Sequence, residues 1–109
     1  MEFTDMALES DWKLFRKKLP EWQERHMRAL LNDYAAIIAA DDEDVATRFW
    51  KLERRIKRDV RHVGVCADMR RSMMDQNLLC LLREKAITPK DLEGFSDELR
   101  DYIEKISNI

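Results

Sequence analysis

The residues of this chain that could do chemistry lie mainly in one basic stretch, residues 43–63. At about 100° per residue, the stretch forms an amphipathic helix whose lysines and arginines share one face with a tryptophan. Such a face could contact an acidic protein surface, because arginine and tryptophan are the types most enriched at interface hot spots. It could instead follow a phosphate backbone while the tryptophan stacks on a base. We therefore predict a partner-binding surface that consists of Trp50, Lys51, Arg54, Lys57, Arg58 and Arg61.

A third interpretation of this basic face needs no partner. Trp50 could be covered by the N-terminal helix, with the basic side chains simply solvated. Glu53 and Asp59 interrupt the basic face, and the chain carries a net charge of −2. Both facts count against a dedicated nucleic-acid binder, which concentrates positive charge. A non-enzymatic module that binds another protein, to regulate or inhibit it, is therefore our leading functional hypothesis, and a nucleic-acid-binding helical protein is the alternative.

Other reactive residues lack the companions that catalysis or metal binding requires. Asp59 and His62 have a spacing that can share a metal, yet two ligands do not make a site. No nucleophile is paired with a base in the sequence. With only two glycines in the chain, no phosphate-binding loop can be built. We therefore expect no enzymatic activity, no bound metal and no cofactor.

The cysteines and the hydropathy pattern suggest a cellular compartment. If Cys66 and Cys80 lie on one helix, about 21 Å separates them at 1.5 Å per residue, which excludes a disulfide between them. We expect both to be reduced core residues, as is usual in the cytosol. The first residues lack a basic region followed by an apolar run, so we expect no signal peptide. No stretch approaches the roughly 18 apolar residues of a membrane span, and we predict a cytoplasmic protein without membrane contact.

Hydrophobic spacing predicts the elements that position these residues. We predict helices over about 5–18, 21–40, 43–63 and 66–85, then a short helical turn after Thr88 that ends at Gly94, and a last helix from Ser96 to about residue 105. The predicted caps are Thr4, Asp41 or Asp42, Thr88 and Ser96. Pro20 should end the first helix and open the second. The small residues of the run 35–40 would let another helix approach closely, and Gly64 suits a left-handed position beyond the third helix. The stripe expected to face the core consists of Val45, Phe49, Leu52, Ile56, Val60 and Val63.

Together these elements predict one domain over residues 1–109, an all-α, compact bundle of four to five helices. Good helix formers dominate the composition, and there are only two prolines to interrupt them. The fourth helix is apolar almost all round at its end, which suits the centre of the bundle. If its apolar surface exceeds what one chain can cover, the protein would form a homo-oligomer.

Three blocks of the sequence resemble a family of small helical bacterial proteins. The blocks are PEWQERHMRALLNDY, RFWKLERRIKRDVRHVGV and ITPKDLEGFSDELRDYI, within residues 20–103. The family is common in Firmicutes and relatives, is often carried on mobile elements, and is frequently labelled "multidrug transporter". That label conflicts with the lack of a transmembrane segment in this sequence. The mobile-element setting implies a protein that binds host or phage machinery, for example as an inhibitor of a defence nuclease.

Overall fold

A computed structural model describes residues 9–107, and this part of the chain is helical without any strand. The predicted all-α class is confirmed, while the predicted cap Thr4 lies outside the described residues. Two short 3-10 turns at Arg71–Met73 and Pro89–Leu92 precede the third and fourth helices. The four α-helices are α1 (Glu9–Ile38), α2 (Val45–Asp59), α3 (Met74–Arg83) and α4 (Asp97–Ser107).

Helix α1 is continuous over 30 residues, where the sequence predicts two helices separated at Pro20. A proline inside a helix removes one backbone hydrogen bond and costs about 3 kcal/mol. Leu19 and Trp22, on either side of the proline, are only 2% and 3% exposed, and Phe15 is fully buried. Each such burial contributes about 1.5–3 kcal/mol. The core contacts on both sides of Pro20 therefore outweigh the local preference to end the helix.

The hydrophobic core lies between the first half of α1 and the C-terminal third of the chain. Trp22 packs against Phe95 with ring centroids 6.3 Å apart, and its other edge meets Phe15 at 6.4 Å. The fourth helix predicted over residues 66–85 is shorter, and α3 buries one side, with Met74, Leu78 and Leu81, and leaves Cys80 exposed. Apart from Phe15, Leu19 and Trp22, the buried cluster contains Met74, Leu78, Leu81, Ile87, Leu92, Phe95, Leu99 and Ile103.

A buried carboxylate joins the start of α4 to α1. Asp11 is 2% exposed, and its two oxygens accept hydrogen bonds from the Ser96 N–H (2.8 Å) and the Ser96 hydroxyl (2.6 Å). Ser96 Oγ in turn accepts from the Leu99 N–H at 3.2 Å, so Ser96 caps α4 as predicted. The cap is thus held in place from a helix that is distant in sequence.

The second half of α1 and the antiparallel helix α2 form a helical hairpin that extends beyond this core. Asp59 is the only buried residue of α2. The molecule measures 56 × 26 × 21 Å. Its radius of gyration is 16.8 Å, whereas a compact domain of this length has about 13 Å. The four-helix arrangement agrees with the prediction, but the compactness expected from the sequence applies to the core and not to the hairpin.

Candidate protein-binding surface on the helical hairpin

Polar side chains hold the two helices of the hairpin together. Arg48 donates to the carbonyl of Ile38 at 2.7 Å, near the tip of the hairpin. Arg55 pairs with Asp33 at 3.3 Å in its middle. Nearer the core, Gln23 donates to the carbonyl of Val63 at 3.0 Å. The side of α2 that docks on α1 therefore carries Arg48 and Arg55.

Asp59 is the centre of this polar interface. The half-buried Tyr34 hydroxyl donates to Asp59 Oδ2 at 2.6 Å, and Arg58 pairs with Oδ1 at 3.1 Å. Burial alone would raise the pKa of Asp59, but the hydrogen bonds from Tyr34 and Arg58 and the nearby Arg55 lower it below its usual value. Burial and the bond to Asp59 raise the pKa of Tyr34 to about 12. The carboxylate is thus ionised and the phenol neutral at physiological pH.

The apolar stripe of α2 faces solvent, contrary to the prediction that it faces the core. Val45 is 73% exposed, Phe49 62% and Val60 49%, while Leu52 and Val63 are half-buried. The physical reason is that α1 presents Asp33 and Tyr34 to α2 along this half, beside the buried Ile37. These groups satisfy the arginines and Asp59, so the stripe is turned away from α1.

Apolar residues of α1 lie on the same side of the hairpin as this stripe. Met27, Leu31 and Ile38 lie about 60–100° around α1 from its contact with α2, and the stripe lies at a similar angle from the contact side of α2. Because the two helices run antiparallel, surfaces that lie at the same angle around each helix axis from the contact, counted in the direction of the chain, are on the same side of the pair. We call this surface the apolar face; it consists of Met27, Leu31, Ile38, Val45, Phe49, Leu52, Ile56 and Val60.

Trp50 is exposed on the side of α2 away from α1. Its exposed fraction is 56%, and its ring lies nearly perpendicular to that of Phe49, with 5.1 Å between the centroids. The interpretation in which the N-terminal helix covers Trp50 is therefore wrong. At 100° per residue, Arg54, Lys57 and Arg61 continue the line of Trp50 along this side.

The predicted basic residues divide into two groups. Lys51 pairs with Glu43 at 3.2 Å, and Arg58 pairs with Asp59. By contrast, Arg54, Lys57 and Arg61 are exposed and have no carboxylate within ion-pair distance among residues 9–107. We call Trp50 and these three cations the Trp50 stripe. The structure thus brings four of the six predicted residues together and places Lys51 and Arg58 at the edge nearer α1.

The tip of the hairpin is acidic. The side chain of Asp41 is 98% exposed, and Asp42 is exposed as well. Asp44, and not Asp41 or Asp42 as predicted, caps α2 by accepting from the Thr47 N–H at 3.1 Å. Hydrogen bonds from the Thr47 side chain and from its backbone N–H lower the pKa of Asp44, so this carboxylate is ionised at neutral pH.

Two histidines stack where the hairpin meets the core, a contact that sequence reasoning missed. His26 and His62 have ring centroids 4.5 Å apart, and His62 Nδ1 accepts from the Gly64 N–H at 2.8 Å. Gly64 does not have a positive φ, contrary to prediction. A Cβ on it would lie 2.4 Å from His26 Cδ2, so the glycine is needed for close approach. Across residues 9–107, no three potential metal ligands cluster.

The cysteines also differ from expectation. Cys66 and Cys80 are free thiols, but both are exposed and neither is a core residue. The reason is that the chain between α2 and α3 is irregular over residues 61–70, so that Cys66 precedes the helix and Cys80 lies on the outer side of α3.

No protein-family model matches this chain, and no curated protein and no solved structure matches it either. The resemblance to mobile-element proteins therefore stays a prediction. In the described part of the chain, no helix combines the length and apolar character needed to cross a bilayer.

Proposed function

We propose that this chain is a non-enzymatic protein-binding module whose Trp50 stripe contacts an acidic surface of its partner. The observation that carries the proposal is an exposed tryptophan aligned with three exposed cations that have no ion pair within residues 9–107. Tryptophan and arginine supply most of the binding energy at many protein interfaces. Unpaired cations at such a site attract an acidic partner and favour one orientation of it.

Nucleic acid is the weaker alternative for this surface. Lys51 and Arg58 are already paired with acids, which leaves only three free cations on the stripe. The acidic tip lies at one end of the same helix and would repel a phosphate backbone that continued along it. A protein partner needs neither a long basic track nor an even spacing of cations.

The resemblance to proteins of mobile elements suggests where such a partner belongs. We propose that it is a component of host or phage machinery that this chain regulates or inhibits. The surface expected on this partner is an acidic patch with an apolar contact for Trp50.

The test compares proteins retained by immobilised wild-type chain with those retained by a Trp50→Ala/Arg54→Glu variant. A Lys90→Glu variant is the matched control, because Lys90 is an exposed cation on the far side of the core. We expect a protein that wild type and control retain and the stripe variant loses. Because Trp50 is exposed, the circular dichroism spectrum of the variant should not change.

Two results would count against this function. If the stripe variant retains the same proteins as wild type, the Trp50 stripe is not the contact surface. If fluorescence anisotropy shows that wild type binds single- or double-stranded oligonucleotides with an affinity that falls steeply with salt, the chain is a nucleic-acid binder.

A further inference from the structure

We infer that the apolar face binds the apolar face of a second copy of this chain, with the two hairpins antiparallel about a two-fold axis. The exposed parts of its members amount to roughly 700 Å² per chain, above the largest patch on a typical monomer and close to the 800 Å² that each partner buries in a standard interface. This pairing uses another side of α2 than the Trp50 stripe, and it does not rest on the function proposed above.

The spacing of the stripe on α2 is self-complementary. A two-fold axis that passes between Leu52 and Glu53 brings Phe49 opposite Ile56 of the second copy, and Val45 opposite Val60 of the second copy. Such an isologous contact requires that each residue of the patch meet a suitable residue of the same patch. Here the pairs Phe49–Ile56 and Val45–Val60 are apolar, while Leu52 lies beside the axis next to Glu53 of the second copy.

The same axis also satisfies α1. The contacts Ile38–Arg48 and Asp33–Arg55 show that the middle of α2 lies level with residues 34 and 35 of α1. An axis at that level brings Leu31 opposite Ile38 of the second copy. Ala35 lies at the axis, where its small side chain allows the two copies of α1 to approach closely. One symmetry operation therefore pairs Leu31 with Ile38 on α1 and gives the apolar pairs on α2, while Met27 comes level with Asp42 of the second copy.

Charge favours the antiparallel arrangement over a parallel one. The acidic tip, residues 41–44, lies at one end of the hairpin. In the antiparallel arrangement, the tips of the two copies lie at opposite ends of the dimer, so their negative charges are far apart. In a parallel arrangement, the two tips would be adjacent and would repel.

The first experiment measures mass in solution by sedimentation velocity for wild type, Phe49→Glu, Ile38→Glu and Met69→Glu. Met69 is 43% exposed but lies outside the apolar face, so it controls for the general effect of a new charge. We expect wild type and Met69→Glu to be dimers. The other two variants should be monomers with unchanged helicity, because both side chains are already exposed. A wild-type monomer at all concentrations would overturn the inference.

The second experiment tests the arrangement by disulfide cross-linking. In a background with Cys66→Ser and Cys80→Ser, we expect Ala35→Cys to form a covalent dimer under mild oxidation, because it lies beside the axis. Asp42→Cys at the tip should remain uncross-linked. Efficient cross-linking of Asp42→Cys with none of Ala35→Cys would show that the hairpins pair with their tips together, against the inference. The Trp50→Ala/Arg54→Glu variant should stay dimeric, so failure of the protein-binding proposal leaves this one testable.

Discussion

Replacing Asp11 by alanine is expected to detach the start of α4 from α1. Asp11 is almost completely buried, and both of its carboxylate oxygens accept hydrogen bonds from Ser96, at 2.8 and 2.6 Å. The variant removes both acceptors at once. It leaves the Ser96 backbone N–H without a partner at the first turn of a helix, where no intrahelical acceptor is available.

The expected magnitude follows from these two bonds. A hydrogen bond to a charged group contributes about 1.5–3 kcal/mol, and a buried donor left without a partner costs about 1–3 kcal/mol. Removing the carboxylate also relieves the cost of burying its charge, which offsets part of this loss. We therefore expect the free energy of unfolding to fall by about 3 kcal/mol. A domain with the usual 5–15 kcal/mol of stability would remain folded.

The assay is urea denaturation followed by circular dichroism, with tryptophan fluorescence as a second probe. The midpoint should fall while the slope of the free energy against urea stays constant. Glu21→Ala is the matched control, because Glu21 is an exposed acid on the same helix; its effect should stay within about 0.5 kcal/mol. Ser96→Ala completes a double-mutant cycle, in which the two changes should be strongly non-additive because they share the same bonds.

A loss below about 1 kcal/mol in Asp11→Ala would refute the reasoning, since it would be smaller than one hydrogen bond to a charged group. Additive losses in the double variant would refute it as well. They would mean that Asp11 and Ser96 stabilise the protein separately and that the cap of α4 does not depend on α1.

Three further predictions concern the junction and the interior of the hairpin. Tyr34→Phe removes one hydrogen-bond donor to the buried Asp59 and should lower the free energy of unfolding, measured by urea denaturation, by about 1–3 kcal/mol. In the Asp59→Asn variant, spectrophotometric titration should show that the pKa of Tyr34 falls from about 12 toward 10.0. Gly64→Ala places a Cβ 2.4 Å from the His26 ring and should lower the thermal midpoint, whereas a midpoint equal to wild type would show that the ring has room to move. Burial and the neighbouring His62 lower the pKa of His26 below 6.5. Between pH 7 and the lowered pKa, the unfolded chain therefore binds more protons than the folded chain, so the free energy of unfolding should decrease as pH falls through this interval. His26→Gln should reduce this pH dependence of stability.

Features that depend on neighbouring residues could be predicted from the sequence. Ser96 caps α4 because its hydroxyl reaches a backbone N–H three residues later, a relation that spacing reveals. The all-α class follows from composition for a similar reason. The exposure of Trp50 on a basic side of α2 was predicted as one of several alternatives, and the structure selects it.

Features that depend on distant residues could not be predicted. Helix α2 has an apolar side and an arginine-rich side, and periodicity shows both without showing which one docks. The docking side depends on Asp33 and Tyr34 of α1, and the sequence of α1 does not show that these two residues face another helix. Likewise, local rules predict that a helix ends at Pro20, and the burial of Leu19 and Trp22 explains why α1 continues through it. The bond between Asp11 and Ser96 has no local signal at all.

The polar interior of the hairpin has a consequence for local unfolding. Its helices are joined mainly by hydrogen bonds and ion pairs, whereas the rest of the chain shares one apolar core. We therefore expect the hairpin to open at a lower free energy than the core and its amides to exchange with solvent faster. The proposed binding surfaces lie on the hairpin, whereas most of the buried apolar residues lie in the core. Substitutions in the hairpin are then expected to change what the protein binds while the core keeps the chain folded.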